Sequence, residues 1–315
     1  MKIIMLSDLD TGGLAAILKP AFQKLGHDVT VMQTVKTYLD GEGEHIDFLM
    51  GQMPNEDFPL LEDEFKEADL FIIRTVTDFT LKATKVLGYL NKHNTIYRIH
   101  GSELRENRVP YTMRTWMINW FGNEPVVVGP RDPSLFKYYE GNVITHIERP
   151  MNIELLKTIE VRERGIHAVT TPTNMYRKGA DLLIEKWKNK KVPLQVLSGV
   201  SREEALEAKA GASYYVDRVG EYEHGPYGVN SIEAWFLRVP VFSQYSDMDV
   251  VVCPELPKLV NYVNIDNIEK VINKYKRDDI ALDFAYEYAM NTHHPLIIAQ
   301  QYIALAQALQ EKDNV

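Results

Sequence analysis

The chain has 315 residues, 45% hydrophobic and 25% charged, a length that calls for two domains of about 150 residues and a composition that excludes a disordered chain. Its net charge of −9 opposes general binding to nucleic acid or an anionic membrane, although acids crowd residues 28–69 and bases predominate over 74–149. The single cysteine, Cys253, excludes an internal disulfide and a thiolate metal cluster, and fits a reducing cytoplasm.

Lys2 to Leu6 is an apolar run, too short for a signal peptide or a membrane span, and reads as a first strand. It leads into Gly12-Gly13, after which Leu14, Ile17, Leu18, Phe22 and Leu25 recur at helical spacing. Pro20 is expected to bend or shorten that helix and Gly26 to stop it. The strand Val29-Thr-Val-Met completes a βαβ unit, which implies a parallel sheet. Residues 38–60 are an acidic stretch with little periodicity. A helix is expected near Glu62 to Ala68, a strand from Leu70, a helix around Thr80 to Asn91, and a strand at Thr95 to Ile99 that runs into His100-Gly101. Val126 to Val128 is a further buried strand, and the last strand of this half falls near 142–152, where Pro150 marks the crossover.

The alternation restarts at His167-Ala-Val-Thr-Thr, followed by Arg177-Lys178-Gly179-Ala180-Asp181 and a helix through Trp187. Leu194 to Leu197 is a strand that ends in Ser198-Gly199. Ser201 and Glu204 have the spacing of a capping box, and Tyr214 to Val216 is the next strand. Helical segments near 266–275, 279–289 and 295–311 close the chain. The pattern predicts an α/β protein of two tandem Rossmann-like domains, each a doubly wound parallel sheet, facing a cleft. The expected bounds are 1–152, 153–293, and a terminal helix, 294–315, that returns to the first domain.

The stretch from Gly225 to Phe242 is the most informative. A glycine loop with Tyr227 and Gly228 leads into a helix that opens at Val229 and Asn230, and Val239-Pro240 ends it before a short apolar strand. Free backbone N–H groups at a helix N-terminus hold anions such as a diphosphate. Glu233 lies about one turn inside, where a carboxylate can bind the ribose hydroxyls of the same nucleotide. The outline is a nucleotide-sugar site.

In order and spacing, these segments resemble the retaining glycosyltransferases of the two-Rossmann-domain GT-B fold, in the glycogen-synthase-like group. The resemblance rests on Gly12-Gly13 after the first strand, residues 25–31, His100-Gly101, Lys178-Gly179-Ala180-Asp181, the Gly228-to-Ala234 motif with Pro240-Val241, and His294 to Tyr302. Three departures stand out. The family usually carries a second glutamate eight positions before the first, and here that place is Gly225; Glu223 or Glu221 are the nearest substitutes. The family's arginine ahead of the lysine falls on Thr173 or Met175, which leaves Arg177 for its role. Residues 190–216 lack about one βα unit of the family pattern.

The resemblance implies a glycosyl transfer with retention from a nucleoside-diphosphate sugar, with no cofactor and no metal. Lys178, Arg177 and His100 are the expected catalytic residues, with Lys178 and Arg177 stabilising charge on the leaving diphosphate. His100 equally reads as a structural histidine bonded to backbone. Gly12, Gly13, Ser198, Gly199, Tyr227, Gly228, Val229, Asn230 and Glu233 are the expected donor-binding positions. Asp8-Leu9-Asp10 and Asp247-Met248-Asp249 are acidic triplets at expected strand ends, and neither is assigned a metal. Arg105, Arg108 and Arg114 lie among aromatics on the acceptor side, which suits a saccharide, a small molecule or a modified DNA base; an amphipathic segment with packed aromatics gives the same pattern. Two other functions share the fold, a nucleotide-sugar epimerase and a nucleotide-sugar-binding protein without catalysis.

Overall fold

A computed structural model describes residues 1–7, 13–36, 44–53, 59, 61–74, 88–91, 93–98, 126–129, 145–161, 163–172, 175–176, 178–220 and 225–311. The chain divides into two compact units, one of Met1–Pro130, Ser134–Pro150 and Pro295–Val315, the other of Arg131–Pro133 and Met151–His294.

In the first unit β1 (Lys2–Ser7), β2 (Asp28–Gln33), β3 (Phe48–Leu49), β4 (Leu70–Arg74), β5 (Thr95–Arg98), β6 (Val126–Gly129) and β7 (Thr145–His146) form one seven-stranded sheet. Its order is β3-β2-β1-β4-β5-β6-β7 and every pairing is parallel, with Ile4 opposite Thr30 on one side and Phe71 on the other. Strands covered on both faces read as unbroken apolar runs, as Ile3-Ile-Met-Leu and Leu70-Phe-Ile-Ile do, and both runs are buried. Helix α1 (Leu14–Lys24) covers the sheet together with α11 (Pro295–Glu311), Leu14, Leu18 and Phe22 packing with Ile298, Tyr302 and Ala306, and a short α2 (Glu62–Lys66) precedes β4. The ring of Phe22 meets Tyr302 edge-on at 6.3 Å between centroids.

Helix α1 runs through Pro20 to Lys24 rather than stopping at it, because Pro20 lies on the exposed side and its missing N–H leaves a carbonyl on that side for water. Gly26, at φ 82°, does end the helix, as His27 N–H donates to Phe22 O (3.1 Å) and Gly26 N–H to Gln23 O (2.9 Å). The acidic stretch 38–60 contains β3, whose two residues are too few for any periodicity to register. The helix expected around Thr80 to Asn91 lies mostly outside the described residues, as does Asp8-Leu9-Asp10.

The second unit holds β8 (Gly165–Thr170), β9 (Leu194–Val196), β10 (Ala212–Arg218), β11 (Val241–Ser243) and β12 (Val260–Tyr262) in the order β12-β11-β10-β8-β9, again all parallel. Its helices are α3 (Ile153–Thr158), α4 (Ala180–Lys186), α5 (Arg202–Ala210), α6 (Val229–Phe236), α7 (Asp247–Val252), α8 (Leu256–Leu259), α9 (Ile268–Lys274) and α10 (Asp279–His293). Trp235 of α6 is fully buried and donates from Nε1 to Leu259 O at 3.0 Å, which ties that helix to the end of α8 just before β12. Chain direction across the sheet reverses between β8 and β10. Ligands of open α/β sheets bind at such a switch point, beyond the C-terminal strand ends.

Asp247-Met248-Asp249 opens α7 instead of ending a strand. Asp249 Oδ2 accepts from the Ser246 N–H (2.8 Å) and hydroxyl (2.9 Å), and Arg218 Nη2 lies 3.6 Å away, so this oxygen is committed to the helix cap. Between Asp247 and Tyr262 the sequence pattern gave no warning of α7, α8 or β12, each six residues or shorter.

Candidate functional site

Three chain segments converge at the switch point of the second sheet. The turn after β8 leads to Lys178, the end of β10 carries Asp217, and α6 starts at Val229. Lys178 Nζ donates to Asp217 Oδ1 at 2.7 Å, and Ser231 Oγ of α6 donates to Asp217 Oδ2 at 2.6 Å. Burial pushes the Asp217 carboxyl up, but the Lys178 ammonium and the Ser231 hydroxyl outweigh it and hold it well below the ordinary range. Asp217 is therefore an ionised carboxylate with a fixed orientation.

The backbone shapes are specific. Gly179 caps α4 at φ 64°, and a Cβ there would lie 1.8 Å from Val219 O, so only glycine fits. Val219 N–H donates to Lys178 O at 3.1 Å, which pins the lysine's own peptide to the end of β10. At Gly228 a Cβ would stand 3.4 Å from Lys178 Nζ and 3.6 Å from Asp217 Oδ2. The ammonium therefore lies against the start of α6, at van der Waals distance from where a Gly228 side chain would begin. No side chain caps that helix. The N–H groups of Val229 and Asn230 have no acceptor among the described residues, and both residues are half-buried. A lysine and open helix N–H groups facing one spot make an anion site.

A second polar cluster adjoins it. Glu233, 3% exposed, is buried rather than on the helix surface. Its Oε2 accepts from Lys209 Nζ at 2.5 Å, and its Oε1 accepts from Arg202 Nη2 (2.9 Å) and Nε (3.2 Å). Burial alone would raise the Glu233 carboxyl; the Lys209 and Arg202 charges reverse that and lower it. Lys209 also donates to Asn230 Oδ1 at 2.8 Å, while Asn230 Nδ2 donates to Thr171 O at 3.1 Å. The Asn230 carboxamide is thereby bonded at both ends within the unit, leaving its backbone N–H as the group open to a ligand.

Of the other expected donor positions, Ser198 and Gly199 are exposed on the loop between β9 and α5, Gly199 at φ 73°. Tyr227 is half-buried and packs edge-on against Trp235, with its hydroxyl 3.2 Å from His293 Nε2 and 3.1 Å from the Tyr288 hydroxyl. Gly13 belongs to the first unit, where it caps α1 at φ 64°. The structure therefore brings together Lys178, Gly228, Val229, Asn230 and Glu233. Gly12, His100, Arg105, Arg108, Arg114, Arg177, Glu221 and Glu223 lie outside the described residues.

Sequence reasoning missed Asp217, Arg202 and Lys209. Lys209 did carry a signal, for it falls three residues after Leu206 on the buried face of α5, where an unpaired ammonium would be costly. Asp217 had a weaker one, a carboxylate near the C-terminal end of an apolar strand. Among the described residues no helix is long and apolar enough to cross a membrane.

Solved structures with this architecture span nearly the whole chain. An alpha-glucosyltransferase in complex with UDP and a 13-mer DNA containing a HMU base is 11% identical, with a TM-score of 0.65 over 97% of this chain and 99% of that one. HepE of Anabaena, in complex with UDP and glucose, is 13% identical, with a TM-score of 0.64 over 98% and 100%. A UDP-N-acetylglucosamine 2-epimerase is 12% identical, with a TM-score of 0.54 over 96% and 94%. No protein-family model matches the chain, and no curated protein matches it in sequence. The two parallel-sheet α/β units are those of the GT-B glycosyltransferase fold. At these identities the likeness defines the fold alone.

Proposed function

We propose that the chain is a glycosyltransferase that takes a sugar from a nucleoside-diphosphate sugar, without metal and with retention. The observation that carries this reading is the pairing of Lys178 with the uncapped start of α6 at the switch point of the second sheet. Solved structures of the same fold hold UDP, one with glucose and one with DNA. In the proposed reaction the diphosphate leaves as charge builds on its β-phosphate. Lys178 and the N–H groups of Gly228, Val229 and Asn230 stabilise that charge from fixed positions. Arg177 and His100 complete the catalytic set, and Gly12, Gly13, Ser198, Gly199 and Tyr227 the donor contacts. The acceptor falls to the first unit, with Arg105, Arg108 and Arg114 as its contacts, and the protein works in the cytoplasm.

The test is a thermal-shift and calorimetric screen of UDP-, GDP-, ADP- and TDP-sugars, with and without divalent metal. Stabilisation by one diphosphate family without metal is expected; no binding to any of them overturns the reading. The donor so found is then offered saccharides and hydroxymethylated DNA as acceptors.

An epimerase is the second reading, favoured by the 2-epimerase of the same fold. It would convert the donor with no acceptor present, and NMR of the sugar product separates the two reactions.

A further inference from the structure

The Lys209–Glu233–Arg202 cluster has a surplus of one positive charge, two cations on one carboxylate, and its members differ in access to solvent. The side chains of Lys209 and Glu233 are 0% and 3% exposed, whereas that of Arg202 is 27% exposed. Arg202 is the first residue of α5, on the C-terminal side of β9, and shares the strand-end edge of the sheet with the start of α6. Glu233 lies five residues beyond Gly228, about 7.5 Å along the helix axis at 1.5 Å per residue. A nucleotide whose diphosphate caps α6 carries its ribose over that distance.

The carboxylate itself has little left to offer. Oε1 already accepts two N–H groups from Arg202 and Oε2 takes the Lys209 ammonium, so one acceptor position remains on a group nearly closed to solvent. A ribose diol needs two acceptors to donate both of its hydroxyls. Arg202 is in the opposite state, since among the described residues its bonds run from Nε and Nη2 alone and a guanidinium has five N–H donors. The polar group turned toward solvent in this cluster is a donor fork.

We propose that Arg202 contacts the nucleotide in this site, donating to the ribose hydroxyl oxygens, with Glu233 and Lys209 as positioning residues that hold the guanidinium in place. This inference rests on the proposed function and revises the expectation for Glu233 drawn from the sequence, since Glu233 then acts through Arg202 rather than directly on the ribose. Lys209 fixes the carboxylate from below and also bonds Asn230, so one buried ammonium sets both the Arg202 anchor and the second residue of α6.

The test is calorimetry on the full chain with UDP, ADP and GDP, each beside its 2′,3′-dideoxy counterpart. The wild type is expected to bind one ribonucleotide about tenfold more tightly than its dideoxy analogue, as loss of hydrogen bonds to a charged group requires. Arg202→Met should bind the ribonucleotide as weakly as the wild type binds the analogue, and leave analogue binding unchanged. Glu233→Gln should narrow the same ratio through a loosened Arg202, and circular dichroism confirms that both variants are folded. An unchanged ratio in Arg202→Met overturns the inference while leaving the donor site standing. Equal loss for both ligands also overturns it, because a merely structural role moves both. Wild-type protein that binds a TDP-sugar but none of the six nucleotides overturns this inference, and protein that binds none of the six and no TDP-sugar overturns the proposed function itself.

Discussion

Lys178 and Asp217 form an ionic link between the turn before α4 and the end of β10, 2.7 Å from Nζ to Oδ1, with the aspartate side chain 1% exposed and the lysine 19%. That asymmetry sets the outcome of breaking it. Lys178→Met leaves a buried carboxylate with the Ser231 hydroxyl and the Arg218 charge but without its ion-pair partner, at a loss of about 3 kcal/mol. Asp217→Asn leaves a lysine that still reaches water, and should lose clearly less. The double variant is expected to recover part of the Lys178→Met loss, measured by urea unfolding; strictly additive losses would show that the two groups are not coupled.

The same pair gives a pH dependence of known sign. Asp217 has a folded value below that of an unfolded aspartate, so its contribution is complete above the unfolded value and disappears as pH falls through the folded one. Wild-type stability should therefore drop as pH goes below about 4. Asp217→Asn should flatten that part of the curve; a variant as acid-sensitive as the wild type would assign the dependence to other carboxylates.

Gly179 and Gly26 separate two meanings of a left-handed glycine. Both have positive φ, 64° and 82°, but a Cβ on Gly26 meets nothing within 4 Å, while one on Gly179 would lie 1.8 Å from Val219 O. Gly26→Ala should lose about 1 kcal/mol, the conformational cost alone. Gly179→Ala must also displace the backbone that holds Lys178, and should lose about 3 kcal/mol with weakened nucleotide binding. Equal melting temperatures for the two variants would contradict the close approach at Val219.

The fold was legible because its signals are long and local. Apolar runs such as Ile3 to Leu6 and the 3.6-residue spacing of Leu14, Leu18 and Phe22 mark the elements, and parallel pairing follows from their alternation. The anion site was half legible: Gly228 and Lys178 stand in recognisable segments, but Asp217 meets Lys178 across 39 positions of sequence. Nothing near Asp217 in the chain names that partner. Glu233 shows the same limit from the other side. Its place on α6 was readable, whereas its capture by Lys209 and Arg202 depends on how α5 packs beside α6.

Tyr302 joins α11 to the first sheet through one polar contact in an apolar setting. Arg98 is fully buried at the end of β5 and donates from Nη1 to Ile147 O and, at 3.4 Å, to the Tyr302 hydroxyl. Tyr302→Phe keeps the ring against Phe22 and removes one acceptor from a buried guanidinium, a loss of about 1–2 kcal/mol. Tyr302→Ala also opens a cavity in the first core and should lose about 4 kcal/mol. If the two variants unfolded alike, the ring would carry no packing energy and the contact with α1 would be incidental.

Cys253 turns the second unit into its own reporter. It is the one cysteine of the chain, is 1% exposed, and belongs to the core that contains Trp235 and Ile232 of α6. A thiol reagent reaches it only when that unit opens, so labelling under native conditions should be slow and fast in denaturant. A ligand that binds only the closed unit suppresses the open form by the factor 1 + [L]/Kd, about 100-fold at a hundred times its Kd. The nucleoside diphosphate that raises the melting temperature should therefore slow Cys253 labelling by that factor, and Lys178→Met should abolish the protection. Thermal stabilisation without slower labelling would move the binding site out of the second unit, and the assignment to Lys178 and α6 would fall with it.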